Sequence, residues 1–442
     1  MKRRDFVKSG TGAAVGVAAF PHVVLGRARE GTVRIAVIGT GLRGRSLLGL
    51  LLLRTDVRVP AICDIDPEAA TLAADMVTEA GQKAPKKFTA GDHDYLNLLR
   101  RDDIDAVIIA TPWTWHAPMA IAAMEAGKTV GVEVPAALTV EEAWELVRTS
   151  ERTGVQCMML ENVCYRRDVM AILNMVRQGM FGELVHCRCG YQHDLRDIKF
   201  QPGVQFGAQG RSESMWRTQH SIKRNGDLYP THGIGPVGNW LDINRGNRFV
   251  SLTSTSTKAR GLHDYIVANG GPDHPNASIR FALGDVVTTV VRTATGESVV
   301  ITHDTDLPRP YSLGFRVQGT RGLWMVDGRQ IYIEGVSPEP HRWEAAAPYL
   351  ETYDHPLWRR YESEAAGAGH GGMDFFVING FVEAIERNEP LPLDVYDAAT
   401  WSVISPLSER SIAEGGEPQA FPDFTGGRWV KRAPTFGLGD TY

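Results

Sequence analysis

The chain has 442 residues, 43% of them hydrophobic and 22% charged, with a formal net charge of −5. At roughly 150 residues per domain this length implies two or three cores in an ordinary globular protein. The acidic balance excludes a duplex nucleic-acid partner, which demands a basic stripe, and no apolar run past residue 30 is long enough to cross a bilayer.

The first element, residues 1–30, reads as an export signal: a basic head, Met1-Lys2-Arg3-Arg4-Asp5-Phe6-Val7-Lys8, then small and apolar residues from Gly10 to Leu25. The twin arginines followed by Asp-Phe-Val-Lys resemble the twin-arginine signal. That resemblance implies a periplasmic or extracellular protein that crosses the membrane already folded. No cysteine follows the apolar stretch, so a lipid anchor and stable membrane insertion are not expected.

Residues 31–160 read as a Rossmann domain. A β-branched strand, Val33 to Ile38, runs into Gly39-Thr40-Gly41-Leu42-Arg43-Gly44, and a helix follows over Ser46 to Leu53. This is G-x-G-x-x-G between a strand and a helix. Gly39 allows the turn, Gly41 lets backbone approach a pyrophosphate, and Gly44 lets helix and strand pack closely. The free N–H groups of the helix start then face phosphate. A second strand, Val57 to Cys63, ends at Asp64, placed to accept from ribose hydroxyls and to repel a 2′-phosphate, which favours NAD over NADP. A third strand, 106–110, leads into Thr111-Pro112-Trp113-Thr114-Trp115-His116 and a helix over 117–126; a fourth, 129–132, leads to Glu133-Val134-Pro135. Helix 140–153 and strand 155–160 then reach Glu161-Asn162. Strands alternating with helices imply a parallel, doubly wound sheet with ligands at its carboxyl edge.

Residues 161–442 read as a second α/β domain for substrate. Strand 183–191 carries Cys187, Cys189 and Tyr191 on one face. The five cysteines contain no C-x-x-C pair and read as buried thiols, not as a disulfide scaffold. Tyr229-Pro230-Thr231-His232-Gly233 precedes an apolar helix start at Ile234, so a tyrosine, a histidine and helix amides converge. On residues alone, a core histidine is as good a reading of His232 as a functional one. Arg217 can equally stack on Trp216, and Tyr191 can face the core. His193-Asp194 lacks a third ligand at suitable spacing, so no metal is expected. Carboxylates abound, but nothing pairs two of them as a conventional glycosidase needs. Helix 375–387 and the region 394–414 are expected to pack back on the first domain.

Thr-Pro-x-x-x-His after the third strand and Glu-x-Pro after the fourth resemble the Gfo/Idh/MocA oxidoreductases. That superfamily pairs a Rossmann domain with an α/β domain whose open, mostly antiparallel sheet often mediates dimerisation, so a homo-oligomer is expected. Its usual proton-transfer lysine is replaced here by Val134. Further segments are similar to glycoside hydrolase family 109, the NAD-dependent α-N-acetylgalactosaminidases: Trp113 to His116, Gly190 to Arg196, His220 to Gly233, His303-Asp304, Arg309 to Ser312, Gly369 to Asp374 and Asp394 to Ala399. The resemblance implies a cofactor held by Leu42, Arg43, Asp64, Trp113, Thr114, Trp115, His116, Glu133, Val134 and Asn162. It implies a sugar contacted by Tyr191, Arg217, Tyr229, Pro230, Thr231, His232 and Tyr311. A redox-neutral cycle with retained NAD suits an exported enzyme, because free cofactor is scarce outside the cytoplasm. C3 is oxidised, the C2 proton leaves, the glycosidic oxygen is eliminated, water adds, and C3 is reduced again. Tyr229 and His232 are the expected groups for the proton transfers at C3-OH and C2. Two rival readings are an exported sugar oxidoreductase with tightly held cofactor and a non-catalytic sugar-binding protein.

Overall fold

Apolar runs at the start of the chain, Val33–Ile38 and Ala106–Ile109, are buried on both faces, as strands covered by helices must be. In the computed structural model, which describes residues 31–200 and 212–442, they lie side by side in a seven-stranded parallel sheet. The export segment lies outside the described residues. The strands are β1 (Val33–Ile38), β2 (Val57–Arg58), β3 (Ala61–Cys63), β4 (Lys86–Phe88), β5 (Ala106–Ile109), β6 (Thr129–Val132) and β7 (Cys157–Met159). Their order is β4-β3-β1-β5-β6-β7, with β2 also on β1. The expected second strand is therefore broken in two. Pro60 sits at the break, where its missing N–H cannot serve a ladder. Strand β4 was not expected, because Lys86-Lys87-Phe88 carries no apolar alternation.

Gly39 turns the chain out of β1 with φ +86°, and a Cβ there would lie 2.7 Å from the Ala110 carbonyl carbon. The helix Leu42–Leu52 follows at once, four residues earlier than its apolar pattern suggests, because the glycine-rich loop already supplies its first turn. Helix Val140–Thr153 has the expected bounds; Thr139 and Glu142 close a capping box and Gly154 ends it in the left-handed region.

The second sheet has nine strands: β8 (Leu184–Gln192), β9 (Phe249–Ser256), β10 (Val286–Thr293), β11 (Ser298–Asp304), β12 (Arg316–Gly319), β13 (Gly322–Met325), β14 (Gln330–Ile333), β15 (Glu344–Ala345) and β16 (Gln419–Ala420). Their order is β15-β14-β13-β12-β8-β11-β10-β9-β16, antiparallel except for the pair β8–β11. Helix Thr231–Trp240 lies directly on β8, because a Cβ on Gly233 would sit 2.7 Å from the Gly190 nitrogen. Helix Met373–Arg387 packs on helix Leu42–Leu52, and helix Val395–Ser402 packs on helix Val140–Thr153. Ser402 Oγ accepts from the Ala136 N–H at 3.1 Å across that second contact. One apolar core consequently runs through both sheets. All five cysteines are buried thiols, and burial pushes Cys63 and Cys157 up to about 12.

Candidate active site

The loop Gly39–Gly44 offers an unblocked helix N-terminus. No side chain caps helix Leu42–Leu52, no acidic residue lies in its first turn, and the space around a Cβ on Gly41 is open for 4 Å. Those backbone N–H groups and the helix dipole fit a pyrophosphate. Asp64 sits at the end of β3. One of its oxygens accepts from Thr40 N at 2.6 Å, and the other accepts from Asp66 N at 2.9 Å. With Thr40 Oγ1 also donating at 3.1 Å, the carboxylate holds the loop and keeps one lone pair, on its second oxygen, that a ribose hydroxyl could use.

The turn after β5 sends its two tryptophans apart. Trp115 packs beside His93 and Tyr95 in the first domain, while Trp113 reaches into the second. Leu42 and Thr114 are exposed at the loop tips. His116 differs from its expected place. It is 1% exposed, and its ring nitrogens lie 2.8 Å from the Pro135 carbonyl and 2.7 Å from the Thr111 carbonyl. It ties β5's turn to β6's and reaches a cofactor only through that turn. The Val134 side chain is likewise buried.

At the carboxyl edge of β6, Glu133 accepts from Arg43 Nε at 2.5 Å. Arg43 also donates to one Asp374 oxygen at 2.7 Å, which His370 Nδ1 meets at 2.7 Å as well, and Asn162 donates to the other Asp374 oxygen at 2.7 Å. Burial opposes ionisation of Asp374, but the hydrogen bonds from His370 and Arg43 outweigh it and hold the carboxyl well below the usual range. Three predicted cofactor residues, Arg43, Glu133 and Asn162, are brought together this way around an aspartate.

Across from this cluster, Tyr229 stacks on Trp113 with centroids 5.6 Å apart. The Arg217 guanidinium lies 4.9 Å from the Tyr229 ring and 5.1 Å from Trp113, and pairs with Glu213 at 2.6 Å. Tyr191 lies 4.6 Å from Tyr229 and 5.5 Å from His232, and its hydroxyl meets His193 Nδ1 at 3.1 Å. Tyr311, half exposed, sits 6.5 Å from Tyr191 at the rim. Pro230 precedes the helix, and Thr231 is fully buried at its start. Burial raises the Tyr229 phenol well above its ordinary pKa against the opposing charge of Arg217, so it stays protonated.

His232 is 4.9 Å from Tyr229, edge to face, and its Nδ1 lies 2.7 Å from Glu161 Oε1. Glu161 is fully buried, and its Oε2 has no partner among the described residues. Sequence reasoning placed Glu161 only at a strand end, and it placed Asp374 only within a matching segment. Neither partner is near in sequence: Glu161 is 71 residues from His232, and Asp374 is 331 from Arg43.

Comparison with known proteins agrees with this geometry. Residues 165–431 match the family model of the glycosyl hydrolase 109 C-terminal domain, and residues 33–161 match that of the oxidoreductase family, NAD-binding Rossmann fold. A glycosyl hydrolase family 109 protein of Stenotrophomonas maltophilia is 53% identical over 100% of this chain and 99% of its own length. An alpha-N-acetylgalactosaminidase of Tannerella forsythia is 50% identical over 99% of each. Among solved structures, levoglucosan dehydrogenase in complex with NADH and levoglucosan superposes with a TM-score of 0.65 at 21% identity, covering 89% of this chain and 100% of that one, which is a likeness of fold. The cofactor of the Rossmann domain is NAD, and the chain belongs to glycosyl hydrolase family 109.

Proposed function

We propose that this enzyme removes terminal α-linked N-acetylgalactosamine by a redox-neutral, NAD-dependent elimination and hydration. The observation that carries the reading is the His232–Glu161 pair set edge-on to Tyr229. Glu133 and Glu161, whose charges act on Tyr229, are each held by a basic side chain. They are not an opposed acid and nucleophile, so direct displacement at C1 lacks its usual groups.

The chemistry that bound NAD supplies is reversible hydride transfer at C3. Its pyrophosphate would lie on the Gly39–Gly44 loop, its adenosine ribose on Asp64, and its nicotinamide half toward Arg43, Glu133 and Asn162. With C3 a ketone, the C2 proton is acidified. His232, donating Nδ1–H to Glu161, presents a free lone pair at Nε2 to take that proton. Its loss expels the glycosidic oxygen, and water then adds to C1. Tyr229, kept as a phenol, holds the C3 hydroxyl and passes its proton. Arg217, Tyr191 and Tyr311 orient the ring.

Purified protein assayed without added NAD on p-nitrophenyl α-N-acetylgalactosaminide in D₂O should release nitrophenol and a sugar deuterated at C2. Release without deuterium would remove the elimination step. No release, with sugar-dependent reduction of the bound cofactor, would replace the reading by a sugar oxidoreductase. The reading includes export by the twin-arginine route, supported by Arg3-Arg4 before the apolar stretch. It also includes self-association through the second sheet, supported by the solvent-facing Val185, Val250 and Val290. Light scattering of the purified enzyme checks the latter.

A further inference from the structure

The segment Gly369-His370-Gly371-Gly372, just before helix Met373–Arg387, takes no part in the chemistry derived above. It belongs to the second domain, yet it lies against helix Leu42–Leu52 of the first, whose start faces the phosphate site. A Cβ on Gly369 would stand 3.6 Å from Ser46 Oγ of that helix. The chain turns here through three consecutive left-handed residues, His370 at φ +53°, Gly371 at +68° and Gly372 at +97°. Glycine takes that conformation freely and few side chains do. A plain turn has no need of an imidazole at the first of the three.

The imidazole is tied down at one nitrogen. His370 Nδ1 meets Asp374 Oδ2 at 2.7 Å, and the same oxygen accepts from Arg43 at 2.7 Å. The Asp374 side chain is fully enclosed, whereas that of His370 is 59% exposed, and its Nε2 has no partner among the described residues. The charged groups that face the ring are Asp374 on the helix that follows it, Arg43 on helix Leu42–Leu52 and Glu133 at the end of β6. The hydrogen bond to Asp374 raises the His370 pKa above its ordinary value, against burial and the Arg43 charge, and the charges of Asp374 and Glu133 add to the rise. Asp374 is held well below the usual carboxylate range. Arg43, despite burial, is raised by Glu133 and Asp374, so neither it nor Asp374 changes charge near neutrality.

The charge balance decides what this end of the site attracts. While His370 is neutral, Arg43 set against Glu133 and Asp374 leaves one negative charge in excess beside the phosphate site, and that charge repels a diphosphate. A protonated His370 cancels the excess and offers a charged N–H donor. We propose that His370, as the imidazolium, donates Nε2–H to the NAD diphosphate on the Gly39–Gly44 loop, so that the second domain clasps the cofactor. This rests on NAD lying on that loop and adds the residue that keeps it there. Protons and NAD then favour each other's binding. Retention is full while the imidazole is charged in the cofactor-free protein. It is lost as pH rises through the higher value that the bound diphosphate sets.

The test is cofactor release. Holoenzyme is diluted into cofactor-free buffer across a pH series, and the NAD left on the protein is measured. For the wild type, release should quicken about 5–150-fold between about pH 6 and about pH 9. His370→Asn, uncharged and tolerant of the left-handed region, should release NAD fast at every pH and flatten the profile. Phosphorus NMR of the bound diphosphate reads the contact itself: its resonances should titrate with the imidazole in the wild type and stay fixed in the variant. A circular dichroism spectrum matching the wild type establishes that the variant is folded. Wild-type release that does not change with pH overturns the proposal. So does a variant that releases faster by one constant factor at every pH, since His370 would then do no more than hold Asp374. Protein that neither carries nor takes up NAD overturns the cofactor site itself, and this contact with it.

Discussion

His232 can serve as a base only while its Nδ1 keeps the proton, and Glu161 at 2.7 Å is what keeps it there. Glu161→Gln offers an amide that can donate to Nδ1 and favour the wrong tautomer. It should lower kcat about 100-fold or more with little change in KM or in NAD retained; steady-state kinetics on the nitrophenyl substrate checks this. His232→Ala should do the same, and a variant with wild-type turnover would take His232 out of the chemistry. A second residue acts through pH. Asp227 is 1% exposed below Tyr229, accepts from the Tyr229 N–H at 3.3 Å, and is pushed by burial up to about 7. The folded carboxyl holds its proton more tightly than the unfolded chain does. Its contribution to stability is therefore complete below the ordinary carboxylate range and is lost as pH rises toward about 7. Asp227→Asn should raise the melting temperature by several degrees at pH 8 and leave it unchanged near pH 4. A melting series across pH decides.

Elements with local signals were legible in the sequence. β1, the glycine loop and its helix follow one another within a single motif, and the bounds of helix Val140–Thr153 are written in Thr139, Glu142 and Gly154. The nearness of Tyr229 and His232 was legible for the same reason, since they bound a four-residue stretch at one helix entry. What sequence could not show is set by tertiary approach. Glu161 becomes the partner of His232 only because helix Thr231–Trp240 rests on β8 at Gly190 and Gly233. The inward turn of His116 likewise depends on a carbonyl from the neighbouring strand end. The glycine contact is testable. Gly233→Ala places a Cβ 2.7 Å from the Gly190 nitrogen, and backbone cannot yield as a side-chain tip can. Overpacking of this kind costs about 1–3 kcal/mol. The helix that carries His232 must lift, so turnover should fall further than stability does. A Gly233→Ala enzyme with normal kcat would show that the contact is slack.

At the scale of the whole molecule, the two domains are joined beside the proposed cofactor site. Asp374 comes from the second domain and Arg43 from the first, and both sit at the nicotinamide end of the proposed binding path. Asp374→Ala leaves Arg43 with Glu133 alone. The loss should be about 2 kcal/mol, below the range for a fully buried pair because the Arg43 side chain is 26% exposed. Faster release of NAD on dilution should accompany it. Export is tested on the same scale: replacing Arg3 and Arg4 by lysine should leave cofactor-loaded enzyme in the cytoplasmic fraction.

The five buried thiols bear on where such a molecule can work. Cysteine oxidises and exchanges as thiolate, and Cys63 and Cys157, pushed up to about 12, present almost none at neutral pH. Cys164, Cys187 and Cys189 are raised as well and fully enclosed. Under the proposed export route, a chain that folds first and is delivered afterwards would meet an oxidising compartment with nothing for it to pair. The native enzyme should be blind to Ellman's reagent and show five reactive thiols only once it is unfolded, and its activity should be the same under air as under dithiothreitol.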